Sequence, residues 1–235
     1  MMNCIIASTS TVHGSDYLAY LKEPLLELFK NVNEILFIPF ARPGGISHEK
    51  YTEKAKKGLA FLNKEVVGLH EKENFKKAIE EAEAIFTGGG NTFVLVSQLY
   101  THDLIKPLQN VISNGIPYLG TSAGSNICGK NMRTTNDMPI VYPPNFNTLE
   151  ILPFNINAHY LDPDPTSTHK GETRETRIKE FHSYNAIPVV GLREGSWLKV
   201  TDDDIILKGE LKARIFECEE SPYEIAPETS LKDLH

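Results

Sequence analysis

Pro117-Tyr118-Leu119-Gly120-Thr121-Ser122-Ala123-Gly124-Ser125-Asn126 is a short apolar run that ends in a G-x-S-x-G motif. The run reads as a strand, a tight turn and the start of a helix. In that context the glycines flanking Ser122 let the backbone fold back sharply, which puts the hydroxyl at the strand's carboxyl end. Ser122 is therefore the candidate nucleophile. Glycine and serine are also common turn residues, so the motif gains chemical meaning only from its surroundings.

Upstream, Asn3 to Ala7 and Glu34 to Phe40 are apolar runs without polar alternation, as expected of strands covered on both faces. Tyr17, Leu18, Leu21, Leu25, Leu26 and Phe29 recur between them at helical spacing, which predicts a crossover helix and a parallel βαβ unit. The alternation continues with a helix from Ser47 to Leu62, a strand from Val66 to Leu69, a helix from Phe75 to Glu81 and a strand from Ala84 to Thr87. After Gly88-Gly89-Gly90-Asn91, the helical segments Thr92 to Tyr100 and Leu104 to Ile112 lead into the strand that carries Ser122. This order specifies an α/β fold with a doubly wound, mostly parallel sheet.

Beyond Lys130 the chain is rich in turns. A strand from Ile151 to Phe154, a helix from Glu172 to Phe181 and a strand from Ile187 to Leu192 follow. Ser196 to Val200, Asp204 to Leu207 and Arg214 to Phe216 then read as antiparallel edge strands, and the polar tail after Ser221 as a surface extension.

A length of 235 residues suits a single α/β domain spanning residues 1–235. The net charge of -7 argues against a nucleic-acid partner bound through phosphates. The amino terminus lacks the basic flank and long apolar core of a signal peptide, and no window approaches the length of a membrane span, so a cytoplasmic protein without a membrane partner is expected. Cys4, Cys128 and Cys218 are odd in number and widely spaced, which supports neither a disulfide framework nor a metal site.

A serine hydroxyl needs a base within hydrogen-bond reach and a third group that holds the base's tautomer. His13, His48, His70, His102 and His235 lie in loop or helix-end contexts and read as surface residues. His159 follows a strand, at the end where α/β sites assemble; the alternative is a loop histidine with a capping role. For the third group Asp137, Asp162, Asp164 and Glu194 all lie near strand ends, and Glu194, directly after Val189 to Arg193, is best placed. The chain order serine, histidine, acid differs from that of α/β-hydrolases and matches the Cys-His-Glu order of class I glutamine amidotransferases, with serine for cysteine. Gly88-Gly89-Gly90 fails the phosphate-loop patterns, since Phe93 stands where the last glycine belongs and no Gly-Lys-Ser/Thr follows. These glycines serve either as a simple turn or, with the Gly90 and Ala123 amides, as an oxyanion hole in which each donor contributes about 3 kcal/mol.

Gly120 to Gly124, Gly88 to Phe93, Arg133 to Ile140, Asn157-Ala158-His159, His169 to Arg174 and Gly195-Ser196-Trp197 together closely resemble the peptidase E family of α-aspartyl dipeptidases. The resemblance runs from Ile38 to Trp197. It implies a class I glutamine amidotransferase-like fold, Ser122 as nucleophile, His159 as base, Glu194 as orienting acid and Asp137 in a motif implicated in activity. Thr121 stands where some relatives carry tryptophan, and Ser125 replaces an alanine. The related cyanophycinases share the serine turn but cleave a branched aspartate-arginine polymer; the Arg133 to Ile140 and His169 to Arg174 stretches favour the dipeptidase.

The resemblance also implies a small peptide substrate with an unblocked amino-terminal aspartate, and no metal or other cofactor. Such a pocket needs a cation for the aspartyl carboxylate, for which Arg174, Lys170 and Arg133 are the candidates, with Arg174 ranked first. Arg174 is equally at home in an ordinary charged helix. Asp137 is the candidate for the substrate ammonium. The expected assembly is a monomer or small homo-oligomer.

Overall fold

The computed structural model describes residues 2–163, 166, 168 and 171–234. Strands β1 (Asn3–Ala7), β2 (Glu34–Ile38), β3 (Glu65–Gly68), β4 (Ile85–Thr87) and β5 (Tyr118–Thr121) pair in parallel. Helices α1 (Lys22–Leu28), α2 (His48–Gly58), α3 (Phe75–Glu80), α4 (Thr92–Thr101) and α5 (Ile105–Ser113) connect them. With β8 (Trp197–Thr201) and β9 (Ile205–Lys208), they build among the described residues a seven-stranded sheet of order β3-β2-β4-β5-β1-β8-β9. β8 and β9 are its antiparallel members.

Strand alternation explains why the runs read as continuously apolar. Cys4 and Ile6 pack on one face with Ile79, Leu95, Leu99 and Leu108 from α3, α4 and α5. Ile5 and Ala7 pack on the other face with Leu25 and Leu28 of α1 and Tyr51 and Ala55 of α2. Helices cover both faces, so every position along β1 after Asn3 is buried.

After β5, the short helix α6 (Ala123–Asn126) leads into long loops. A smaller sheet of order β11-β10-β7-β6 is then built from β6 (Asn155–Ala158), β7 (Val189–Leu192), β10 (Ala213–Phe216) and β11 (Tyr223–Ile225). β6 and β7 are parallel, and helix α7 (Arg174–His182) lies between them in the chain.

Several local expectations shift. The crossover from Tyr17 to Phe29 is α helical only at Lys22–Leu28, after a 3-10 turn at Ala19–Leu21 entered through a left-handed Leu18 with φ 60°. The strand expected at Ile151 to Phe154 instead occupies Asn155–Ala158. Pro153 has no amide to donate, and the polar members of Asn-Ile-Asn-Ala are buried because their side chains are paired: Asn155 Nδ2 donates to Asn131 Oδ1 at 3.0 Å and Asn157 Nδ2 to the Thr134 carbonyl at 2.7 Å.

The expected C-terminal edge strands divide between the two sheets, with β8 and β9 in the first and β10 in the second. The tail is docked rather than an extension: β11 pairs with β10, the Leu231 amide donates to the Ile205 carbonyl at 2.7 Å, and Leu231 and Leu234 are buried. His70 is also not a surface residue, its side chain being 11% exposed and in edge-on ring contact with His48, centroids 5.6 Å apart. Among the described residues no helix is long and apolar enough to cross a membrane.

Candidate active site

Ser122 follows β5 of the large sheet, His159 follows β6 of the small sheet, and Glu194 comes two residues after β7. The carboxyl ends of these strands bring the three together. Glu194 Oε1 lies 2.6 Å from His159 Nδ1, and His159 Nε2 lies 2.8 Å from Ser122 Oγ. An ionised carboxylate can only accept, so Nδ1 carries the proton and Nε2 is left to accept from the serine hydroxyl.

The turn is made differently from the expectation. Ser122 itself adopts φ 54° and ψ -109°, a conformation rare for a residue with a side chain. The flanking glycines supply room instead of left-handed backbone. A Cβ on Gly124 would stand 2.2 Å from the Thr87 carbonyl oxygen, and one on Gly120 would stand 2.5 Å from the Gly124 carbonyl oxygen. β4, β5 and α6 therefore approach more closely than any side chain permits.

The end of β1 ties the two sheets together. The Ala7 carbonyl accepts from the Ser122 amide at 3.1 Å and from the Ser125 hydroxyl at 2.6 Å. The buried Ser8 hydroxyl accepts from the His159 amide at 2.9 Å and donates to the Leu192 carbonyl at 2.6 Å, bridging the ends of β6 and β7. Ser8→Ala leaves the His159 amide without this acceptor and the Leu192 carbonyl with the Tyr160 amide at 3.2 Å, so a stability loss of about 1–3 kcal/mol is expected in urea unfolding. A loss below about 0.5 kcal/mol would mean that the bridge is dispensable.

Arg193 anchors the segment beside Glu194. Its guanidinium forms one fork with Asp162 (2.9 and 2.7 Å) and another with Glu224 of β11 (2.9 and 2.9 Å), and it donates to the Lys212 carbonyl at 2.6 Å. Asp162, weighed as a triad acid, is thus committed elsewhere, and its hydrogen bonds from Arg193 lower its pKa. Asp164 lies outside the described residues.

The family model of Peptidase family S51 matches residues 4–208. The chain belongs to that family. A probable alpha-aspartyl dipeptidase of Drosophila melanogaster is 44% identical to the S51 chain over 99% of it and 97% of the relative. Peptidase E of Streptomyces coelicolor is 45% identical over 99% and 95% respectively. The crystal structure of a peptidase from an acI-B1 Actinobacterium shares the fold at TM-score 0.67 and 16% identity, over 98% of this chain and 96% of that one.

The remaining candidates of the S51 chain sort by position. Gly90 has φ 145°, and a Cβ there would stand 2.2 Å from the Ala41 carbonyl oxygen. The preceding Gly89 lies against Ser122, since a Cβ on it would be 2.9 Å from Ser122 Cβ. Ala123 opens α6 directly after Ser122. Asp137 Oδ2 accepts from the Thr92 amide (2.7 Å), the Thr92 hydroxyl (2.6 Å) and the Thr135 hydroxyl (2.9 Å), an anion held at the first turn of α4. Asn126 of α6 links this group to the serine turn, donating from Nδ2 to the Thr92 and Thr135 hydroxyl oxygens at 3.1 and 3.2 Å.

Arg174, the first residue of α7, is half-buried and within the field of Asp137. Burial and the Arg177 charge lower its pKa, and the Asp137 carboxylate acts in the opposite direction. Arg133 does not join them. It is exposed, donates to Asn185 Oδ1 at 3.0 Å and stacks 5.7 Å from the Phe146 ring centroid. Lys170 lies outside the described residues. The cysteines behave as apolar residues where buried: burial pushes the Cys4 thiol up to about 12 and raises Cys128 well above its ordinary value. Ser8 and Asn126 were missed by sequence reasoning, because a serine after a strand and an asparagine in a short helix carry no pattern of their own.

Proposed function

We propose that this S51 chain is a serine dipeptidase that hydrolyses dipeptides bearing an unblocked amino-terminal aspartate. The observation that carries the reading is the unbroken hydrogen-bonded line from Glu194 through His159 to Ser122 at three strand ends. The likeness to the probable alpha-aspartyl dipeptidase of Drosophila melanogaster supports the choice of substrate. His159 takes the Ser122 proton as Oγ attacks the peptide carbonyl and returns it to the leaving amine; water, deprotonated by the same imidazole, then cleaves the aspartyl ester. The Gly90 and Ala123 amides receive the developing oxyanion, each donor contributing about 3 kcal/mol. Arg174 takes the aspartyl carboxylate, and Asp137 balances that guanidinium and faces the substrate ammonium.

Arg174→Ala is expected to raise KM for Asp-Leu by about 10- to 100-fold, the value of one charge-assisted pair, and to leave that for Asn-Leu, which lacks the side-chain carboxylate, little changed. Equal turnover of Asp-Leu, Asn-Leu and acetyl-Asp-Leu by the unaltered chain would defeat both charge assignments.

A further inference from the structure

The Gly88-Gly89-Gly90 loop has no side chain of its own to hold it, yet the Gly90 amide must keep one orientation if it is to meet an oxyanion. Glycine peptides rotate easily, so something outside the loop must choose that orientation. Tyr51 of α2 is in place to do it. Its side chain is 1% exposed, its hydroxyl donates to the Gly89 carbonyl at 3.0 Å, and a Cβ on Gly88 would stand 2.5 Å from that hydroxyl oxygen. The ring is fixed from two sides, by the edge of Phe37 with centroids 5.0 Å apart and by the Arg42 guanidinium 5.0 Å from the ring centroid.

A trans peptide is planar, with its carbonyl and amide pointing in opposite directions. The carbonyl that Tyr51 holds and the amide of Gly90 belong to the same peptide unit. Gripping one end therefore aims the other, and Gly89 already lies against Ser122. We propose that Tyr51 is a positioning residue for oxyanion stabilisation: its buried hydroxyl fixes the Gly89–Gly90 peptide plane so that the Gly90 N–H is presented to the carbonyl attacked by Ser122. Donation to the carbonyl also polarises the amide and strengthens its N–H as a donor. Burial raises the Tyr51 pKa, so the hydroxyl keeps the proton it donates. The inference rests on the serine-dipeptidase reading and goes beyond it in assigning a role to a residue of a helix that supplies no reacting group.

Tyr51→Phe keeps the ring and removes only the hydroxyl. Its kcat for Asp-Leu is expected to fall about 5- to 20-fold, less than the 100-fold or more for losing an oxyanion donor outright, with KM within about 2-fold. Inhibition by the aldehyde analogue of aspartate, which adds to the serine and forms the oxyanion, should weaken by the same factor, and inhibition by aspartate itself should not change. Phe29→Leu, at a buried aromatic that ends α1 in the same apolar layer, removes core packing and leaves the ring contacts and hydroxyl of Tyr51 in place, so it should lower Tm and retain kcat within about 2-fold. The proposal is overturned if Tyr51→Phe keeps kcat within 2-fold of the parent, if aspartate and its aldehyde weaken equally, or if Phe29→Leu loses kcat as Tyr51→Phe does. Failure of the underlying reading looks different: Ser122→Ala would then still turn over Asp-Leu.

Discussion

Ser122→Ala is expected to lower kcat for Asp-Leu by about 10⁴- to 10⁶-fold, the range for removing the nucleophile of a triad that acts as a unit. The loss comes from chemistry and not from folding. The serine hydroxyl meets His159 Nε2, and its removal leaves that nitrogen to solvent, because the histidine is 38% exposed. The unusual backbone at Ser122 is held by the Ala7 carbonyl and by the crowding of β4 against α6, neither of which involves the hydroxyl. Tm should therefore stay close to the parent value, and a fluorophosphonate probe should label the parent and not the variant. More than about 1% residual kcat would rule out an acyl-enzyme on Ser122.

Glu194→Gln should lower kcat by about 10²- to 10⁴-fold with KM little altered. The carboxylate can only accept and so enforces a proton on Nδ1. A carboxamide can offer its NH₂ group instead, which moves the imidazole proton to Nε2 and leaves nothing there to accept from serine. It also removes the charge opposite the imidazolium that forms as the serine proton is taken. Glu194 is 46% exposed, so water moderates the second effect and the tautomer dominates. Glu194→Asp keeps the charge on a shorter arm and should recover part of the loss. A Gln variant within 3-fold of the parent would remove Glu194 from the mechanism.

The large sheet was legible because its strands are buried on both faces, which turns pairing geometry into unbroken apolar runs such as Ile35 to Ile38. That Ser122, His159 and Glu194 would meet was legible because each follows a segment that reads as a strand, and α/β sites assemble at strand carboxyl ends. β6 was misplaced because Asn155 and Asn157 read as loop residues until their buried partners Asn131 and Thr134 are known. The docking of the tail was hidden for a related reason: Leu231 and Leu234 are isolated apolar residues whose partners lie in distant strands. Tyr51 reads as one more aromatic on the inner face of a helix, and only the tertiary structure shows which carbonyl its hydroxyl meets. Arg133 and Arg174 could not be separated by composition, since the difference between them is direction.

The double fork of Arg193 reaches forward to Glu224, in a strand that forms only after every proposed reacting group has been synthesised. A nascent chain halted at Ser221 would carry Ser122, His159 and Glu194, yet the segment bearing Glu194 would lack half of the ionic clasp that holds it beside His159. The alignment of Glu194 with His159 is thus tied to a strand made after both of them, and it is complete only once β11 has docked on β10.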